Sequence, residues 1–392
     1  MKYPREATNN RMDIHLARVI YPVGLGAFCI ERFYDNSTNA VIFDAMYDCG
    51  SLSRMLGAIQ YETEQLYADS SLDLVCISHF DEDHINGFRK LLGTNAIEKG
   101  KTTILLPQIV DEQNVLELIG VEEFGNYSAL KQDLSDYRVI EVLPMNKGFQ
   151  RPEREELDIR DLRNEIESGT PITIKDHLWE YIPFNNFNEE RNKELLDDIM
   201  AKTGFDAQHI ENIHHGEITT NDLKKLKDAY RKLGKKEDDV TFINRNALML
   251  LSKNNDKIHC SAHLLYGKDW IPTKAWIEYN GTQLPFHERS CGLNPSCMYT
   301  GDAVMDQKMV EIQNMYMGGI SLGLFQIPHH GSKHCYKQEI MDQLNIHAAF
   351  VNTNIHSSRV SIADELKHWQ YNRIPALFWT LVGEGGIYEY IN

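Results

Sequence analysis

The sequence predicts an α/β protein built in layers, and three observations carry that expectation. Short apolar, β-branched runs both open and close the chain; charged, helix-forming stretches fall between them; and polar clusters rich in His and Asp begin where predicted strands end.

The runs HLARVIYPV, GAFCIERFY and AVIFDAMYDCG, the last two separated by a DNST turn, read as strands of one sheet. SLSRMLGAIQYETEQLY reads as a helix, and LDLVCIS has the length and β-branched content of a buried strand. TTILLPQIV is a further strand. Between about 146 and 239 the pattern changes to EREELDIRDLRNEIESG, EERNKELLDDIMAKTG and TNDLKKLKDAYRKLGKK, with IKDHLWEYIPFN as a strand between the first two. A mostly helical insertion is expected there, and the aromatics of Trp179 to Phe184 are expected in the core. Strand character returns in DVTFINRNALMLLS, CMYTGDAV, GLFQIPHH, AAFVNTN, ALFWTLV and GGIYEYI. The Asn-, Gly-, Pro- and Ser-rich stretch at about 253–296 reads as a loop excursion, and the whole of 1–392 as a single domain.

With 392 residues and 42% hydrophobic content the chain can bury a substantial core. Seven cysteines, an odd number without framework spacing, point to reduced thiols. The net charge of −17 argues against a protein that coats nucleic acid nonspecifically, since counterion release needs clustered Lys and Arg. No run of eighteen apolar residues occurs, and the N-terminus has neither signal-peptide nor transit character, so a cytoplasmic protein without membrane partners is expected. Nothing in the sequence indicates an oligomeric state.

The chemistry is densest in Ser78-His79-Phe80-Asp81-Glu82-Asp83-His84, where two imidazoles and three carboxylates follow a predicted strand. Divalent ions accept imidazole nitrogen and carboxylate oxygen, and a tight turn lets such close neighbours face a shared centre. Thr300-Gly301-Asp302 adds one carboxylate behind a glycine, and Pro328-His329-His330-Gly331-Ser332 adds adjacent imidazoles on a turn. Asn352 to Arg359 offers polar groups, with Arg359 suited to an anion. Each of these three further segments alone reads as an ordinary turn or loop. Their order, each after a strand, makes them a set.

That set resembles the metallo-β-lactamase superfamily. HFDEDH resembles the HxDxDH variant of its HxHxDH signature, TGD its bridging aspartate, and IPHHGS the motif bearing its last histidine ligand. More specifically, the chain is similar to the metal-hydrolase domain of ComEC-type DNA-uptake proteins and to phosphorylcholine-esterase-like enzymes. Val23-Gly24-Leu25-Gly26-Ala27 resembles their VGQGDA opening, Asp48-Cys49-Gly50 their DxG strand end, and Asn244 to Leu248 their NxxSLVL segment.

The resemblance implies a four-layer αββα sandwich and a hydrolase with two divalent ions, Zn²⁺ or Mn²⁺. It implies His79 and Asp81 on one ion, Asp83 and His84 on the other, and Asp302 between them. His329 or His330 completes the second site, and the other faces the substrate; our assignment places His330 on the metal and Asp83, His329 and His330 in catalysis. The superfamily's remaining histidine is missing, its place taken by Asn244 or Asn246, with His259, His263 and His287 as alternatives. Asn246, Ser332, Asn354, His356 and Arg359 are assigned to substrate, and Asp48 to hydrogen bonds behind the ligand loop.

A second metal set, His259, Cys260, His263, Cys291 and Cys297, has spacing close to no ribbon or finger. The implied activity is hydrolysis of a phosphodiester in DNA, RNA or a small nucleotide. Two alternatives stand beside it: a binding or regulatory module with a structural or degraded metal site, and a hydrolase of a small non-phosphate ester or amide.

Overall fold

The structure is a computed structural model that describes residues 14–52, 56–108, 130, 132–145, 150–152, 156–174, 178–186, 189–206, 208–209, 212, 219–233, 247–254, 262–267, 294–354, 360–368, 376–380 and 386–391. In chain order its strands are β1 (Ile14–Ile20), β2 (Phe28–Asp35), β3 (Val41–Cys49), β4 (Leu74–Cys76), β5 (Thr103–Pro107), β6 (Arg138–Val142), β7 (Leu157–Asp158), β8 (Glu165–Ile166) and β9 (Ile172–Ile174). They continue as β10 (Trp179–Asn186), β11 (Ala247–Asn254), β12 (Ala262–Gly267), β13 (Cys297–Tyr299), β14 (Leu322–Gln326), β15 (Ile346–Asn352), β16 (Ala376–Thr380) and β17 (Gly386–Ile391). The helices are α1 (Leu56–Leu66), α2 (Glu82–Leu91), α3 (Glu189–Thr203), α4 (Thr220–Leu233), α5 (Gln307–Met317), α6 (Gln338–Met341) and α7 (Asp364–Lys367).

The strands form two mixed sheets: a nine-stranded one ordered β12-β17-β1-β2-β3-β4-β5-β6-β8 and an eight-stranded one ordered β16-β15-β14-β13-β11-β10-β9-β7. Strand alternation explains how they stack. Phe43, Ala45 and Tyr47 of β3, Leu74 and Cys76 of β4, Leu248 and Leu250 of β11, and Phe350 of β15 fill one core between the sheets. Their neighbours point outward: Met46, Val75 and Ile77 meet Ile59 of α1 and Ile85 and Phe88 of α2, while Met249, Phe325 and Val351 meet Met309 and Ile312 of α5 and Leu366 of α7. Helix, sheet, sheet, helix is the four-layer αββα sandwich expected.

A polar knot ties the sheets together. Buried Glu31 accepts hydrogen bonds from Arg18 Nε at 2.7 Å, Tyr181 Oη at 2.7 Å, Tyr299 Oη at 2.8 Å and Ser252 Oγ at 2.7 Å. Buried groups so satisfied rigidify a core rather than weaken it. Trp179, Tyr181, Ile182 and Phe184 are all core residues, as the sequence predicts.

Two expectations change. The segment from 157 to 174 keeps only a 3-10 turn at Ile159–Asp161 and adds β7, β8 and β9 to the two sheets, because Leu162, Ile166, Ile172 and Ile174 pack into the core between them. Burial overrides local helix propensity there, and the long helices described in the region are α3 and α4. Within the expected excursion, β12 pairs antiparallel with β17 at a sheet edge, and His263 sits opposite Tyr390. Asn244, Asn246, His259, Cys260, His287, Cys291, His356 and Arg359 lie outside the described residues. Cys297, from the second metal set, is buried in β13. Among the described residues no helix is long and apolar enough to cross a membrane.

What positions the site is the parallel part of each sheet. β3 and β4 run parallel, as do β13, β14 and β15, so their carboxyl ends deliver the following loops to one edge of the sandwich. Crevices at such carboxyl ends are where open α/β sheets bind ligands.

Candidate metal centre

Asp48 at the end of β3, the loop from Ser78 to Asp81 after β4, the first turn of α2, Asp302 after β13, and the turn at His329-His330 after β14 converge at that edge. His79, His84, Asp302 and His330 are buried, with Asp81 at the rim of burial. Asp81 precedes α2 without capping it through its side chain, and Glu82 and Asp83 occupy the first turn, where negative charge suits the helix dipole.

Close backbone approach makes this packing possible. Gly50 lies so near α2 that a Cβ there would come within 2.3 Å of the Asp83 carbonyl oxygen and 2.6 Å of the His84 nitrogen. Gly301, at φ 53, leaves no room beside Ser78, whose Cβ would be 2.6 Å from an added carbon. Asp48, His329 and His330 adopt left-handed backbone at φ 52, 48 and 55 without being glycine. Each such residue costs roughly 1–3 kcal/mol and persists only where its surroundings hold it.

Every histidine of the cluster is tethered through Nδ1 and turned inward through Nε2. His84 Nδ1 is 2.7 Å from Asp48 Oδ2, and His330 Nδ1 is 2.9 Å from the Asn352 carbonyl oxygen. These partners only accept, so in both rings Nδ1 carries the proton. Ser78 Oγ donates to Asp48 Oδ2 at 2.7 Å and therefore accepts from His79 Nδ1 at 2.8 Å. His329 Nδ1 is 2.9 Å from Cys335 Sγ.

The Nε2 atoms face carboxylates. Those of His79 and His329 are each 3.5 Å from Asp302 Oδ2, that of His84 is 3.3 Å from Asp302 Oδ1, and that of His330 is 3.0 Å from Asp83 Oδ2. Asp81 Oδ2 is 3.5 Å from His79 Nε2. Two overlapping triads result, His79-His84-Asp302 and Asp83-His84-His330, with donor atoms of each within 4.8 Å of one another.

Titration follows this geometry. Burial and the neighbouring His84 oppose charge on His79, but Asp302 and Asp81 outweigh them and push its pKa up to about 10. His84 is likewise raised against its burial by Asp302 and Asp48, and His330 against its burial by the contact with Asp83. Burial works to raise Asp302, yet His329, His84 and His79 hold it well below the usual carboxylate range. His329 differs: burial lowers its pKa despite Asp302.

The fit to a cation rests on atoms left without partners. His79 Nε2, His84 Nε2 and Asp302 Oδ1 are buried and make no hydrogen bond, a condition costing about 1–3 kcal/mol per group unless something satisfies it. A divalent ion with ligands at about 2.0–2.2 Å sets neighbouring donors roughly 3–3.5 Å apart, and the imidazole–carboxylate contacts to Asp302 at 3.3 and 3.5 Å have that spacing. The donors suit such an ion.

Of the residues assigned to substrate, Ser332 is buried and its Oγ accepts from the His334 nitrogen at 3.3 Å. Asn354 is half-buried just beyond β15. Ser78 and Cys335, which hold His79 and His329, were not singled out as tethers from sequence. Ser78 lies inside the ligand motif, whereas nothing in the sequence marks Cys335.

No family model matches the chain, and no curated protein matches it. Among solved structures it is similar to human tRNase Z, short form, with 10% identity, 93% of this chain and 95% of that chain covered, and a TM-score of 0.37. It is also similar to a long form RNase Z from yeast, with 11% identity, 98% of this chain and 42% of that chain covered, and a TM-score of 0.38. The chain thus spans less than half of the yeast protein.

Proposed function

We propose that the chain is a metal-dependent phosphodiesterase or nuclease whose two divalent ions, Zn²⁺ or Mn²⁺, are held by His79, Asp81, Asp83, His84, Asp302 and His330. The observation that carries this reading is the trio of buried, partnerless donors His79 Nε2, His84 Nε2 and Asp302 Oδ1 facing one another. When bound, such an ion pair lowers the pKa of a water toward ~7 and neutralises charge growing on the attacked group.

The chain's own residues set the stage. Asp48 and Ser78 hold Nδ1 of His84 and His79, so that Nε2 of each ring is the atom that would meet a cation once its proton is released. Asp302 presents one oxygen to each half of the cluster. Asp81, Asp83 and Asp302 together repel an anionic phosphodiester until cations compensate them, which couples substrate entry to loading.

Asp81 in place of a histidine makes the donor set richer in oxygen, which favours Mn²⁺ relative to a histidine-richer zinc site. It also aligns the chain with the ComEC-type, phosphoester-cleaving branch that the sequence resembles. The charge of −17 favours a short or small phosphodiester, such as a nucleotide or a single-stranded end, over a long nonspecifically bound duplex.

The test pairs metal analysis with hydrolysis of bis(p-nitrophenyl) phosphate, single-stranded DNA, RNA and nitrocefin. Two ions per chain and cleavage of at least one phosphodiester with added Mn²⁺ or Zn²⁺ are expected. Fewer than one ion and no cleavage would refute the enzyme reading and leave a binding module; cleavage of nitrocefin alone would move the substrate to an amide.

A further inference from the structure

We infer that His329 is itself a metal ligand, filling the place of the histidine that the His79/Asp81 site lacks, and that Cys335 is the positioning residue that turns it there. This rests on the two-ion reading above and changes its ligand set.

The two oxygens of Asp302 divide the imidazoles. Oδ2 has His79 Nε2 and His329 Nε2, each at 3.5 Å, and Asp81 Oδ2 stands 3.5 Å from His79 Nε2. Oδ1 has His84 Nε2 at 3.3 Å, and that side continues to Asp83 and His330, 3.0 Å apart. His329 thus approaches the same Asp302 oxygen as His79. The donors already within 4.8 Å of one another are His79-His84-Asp302 and Asp83-His84-His330. For His79, Asp81, His329 and Asp302 Oδ2 to hold one ion, and Asp83, His84, His330 and Asp302 Oδ1 the other, the His329 ring has to close on the ion. Spacings near 3.5 Å are those of neighbouring donors on a four-coordinate ion.

Orientation supplies the second argument. Metal-binding histidines have the other ring nitrogen fixed by a protein group, a feature they share with acid–base histidines, so the tether is a necessary condition that His329 meets. His329 follows the same rule as His79, His84 and His330, with Nδ1 at a tether and Nε2 at a carboxylate. Its tether is the buried Cys335 sulfur at 2.9 Å, and with Nε2 committed to an ion, Nδ1–H donates to that sulfur. The histidine side chain is only 11% exposed, leaving little of it for a substrate in solvent. Of the alternatives for the missing ligand, His263 lies on β12, separated from β3 by β17, β1 and β2.

The experiment titrates metal-free full chain with Co²⁺ and, separately, Zn²⁺, following cobalt absorption and counting ions by mass spectrometry. Wild type takes two ions. His329→Asn, chosen because Asn tolerates φ 48 but is too short to reach the ion, weakens one ion by at least the about 10–100-fold that loss of a mere tether costs and leaves the other. His330→Asn weakens the other one. Cys335→Ser, which keeps an acceptor, retains both ions near wild-type affinity, while Cys335→Val weakens the ion that His329→Asn weakens and changes its cobalt spectrum; circular dichroism confirms folding of each variant. Two equally tight ions in His329→Asn overturn the ligand assignment alone. Fewer than two ions in wild type overturn both this assignment and the two-ion reading. Unchanged affinity and spectrum in Cys335→Val overturn the positioning role.

Discussion

Asp48 Oδ2 lies 2.7 Å from both His84 Nδ1 and Ser78 Oγ, so one buried carboxylate sets the orientation of two imidazoles, the second through a serine. Its backbone at φ 52 is one that Asn also adopts readily. Asp48→Asn should therefore keep the fold while losing the charged double acceptor. Metal affinity is expected to fall about 10–100-fold, read by competition with a chelating dye. An affinity within twofold of wild type would show that Asp48 only supports the strand end.

A metal held by the histidine cluster would bind in a pH-dependent way. His79, with a pKa pushed up to about 10, holds its second proton at pH 7 in the metal-free chain, and the carboxylates beside His84 and His330 shift them in the same direction. Loading must release that proton, so apparent affinity rises with pH from 7 toward 10. Calorimetry in buffers of different ionisation enthalpy should report net proton release at pH 7. The same shifts govern stability: a histidine raised above its unfolded value of about 6.5 stabilises fully below that pH and loses this as pH climbs through its folded pKa. Metal-free protein should lose Tm between about 6.5 and 10, and loaded protein should not.

Asp302→Asn removes the charge shared between both halves of the cluster. If several kcal/mol of charge stabilisation depend on it, phosphodiester turnover falls by about 10³-fold or more. Steady-state rates at saturating Mn²⁺ test this, with circular dichroism as the folding control. Activity above a tenth of wild type would remove Asp302 from the centre.

Gly50→Ala places a carbon 2.3 Å from the Asp83 carbonyl oxygen, a backbone atom that cannot swing aside. α2 has to shift, and overpacking of this kind costs about 1–3 kcal/mol. Urea denaturation should register that loss, and metal affinity should drop with it because Asp83 and His84 ride on the displaced turn. A destabilised variant with unaltered affinity would separate the packing from the site.

Much of the site was legible because its donors are concentrated. HFDEDH, TGD and PHHGS each put ligand-type side chains in a few consecutive residues after a strand, and the parallel strands bring all three to one edge. Asp48 was legible as a support from its strand-end motif. The tethers were not. Cys335 meets His329 through the fold of a turn, and no spacing rule announces a sulfur beside an imidazole. The different surroundings of His329 and His330 were equally hidden, since two adjacent left-handed residues send their Nε2 atoms to different carboxylates, His329 to Asp302 and His330 to Asp83. In the fold, the segment 157–174 misled by composition: its charged residues favour helix, but Leu162, Ile166 and Ile172 are claimed by the core between the sheets.

The donors divide by sheet. Asp48, His79, Asp81, Asp83 and His84 all come from the contiguous stretch 48–84 attached to the nine-stranded sheet, while Asp302, His329 and His330 belong to the eight-stranded one. An ion held between them is a rivet through the sandwich. Docking of the two halves and occupancy of the centre then become one linked equilibrium, in which a cation at a hundred times its Kd adds about 2.7 kcal/mol to the assembled state. A chelator would act on this chain first as a loosening agent at one edge of the sandwich, and only through that as an inhibitor.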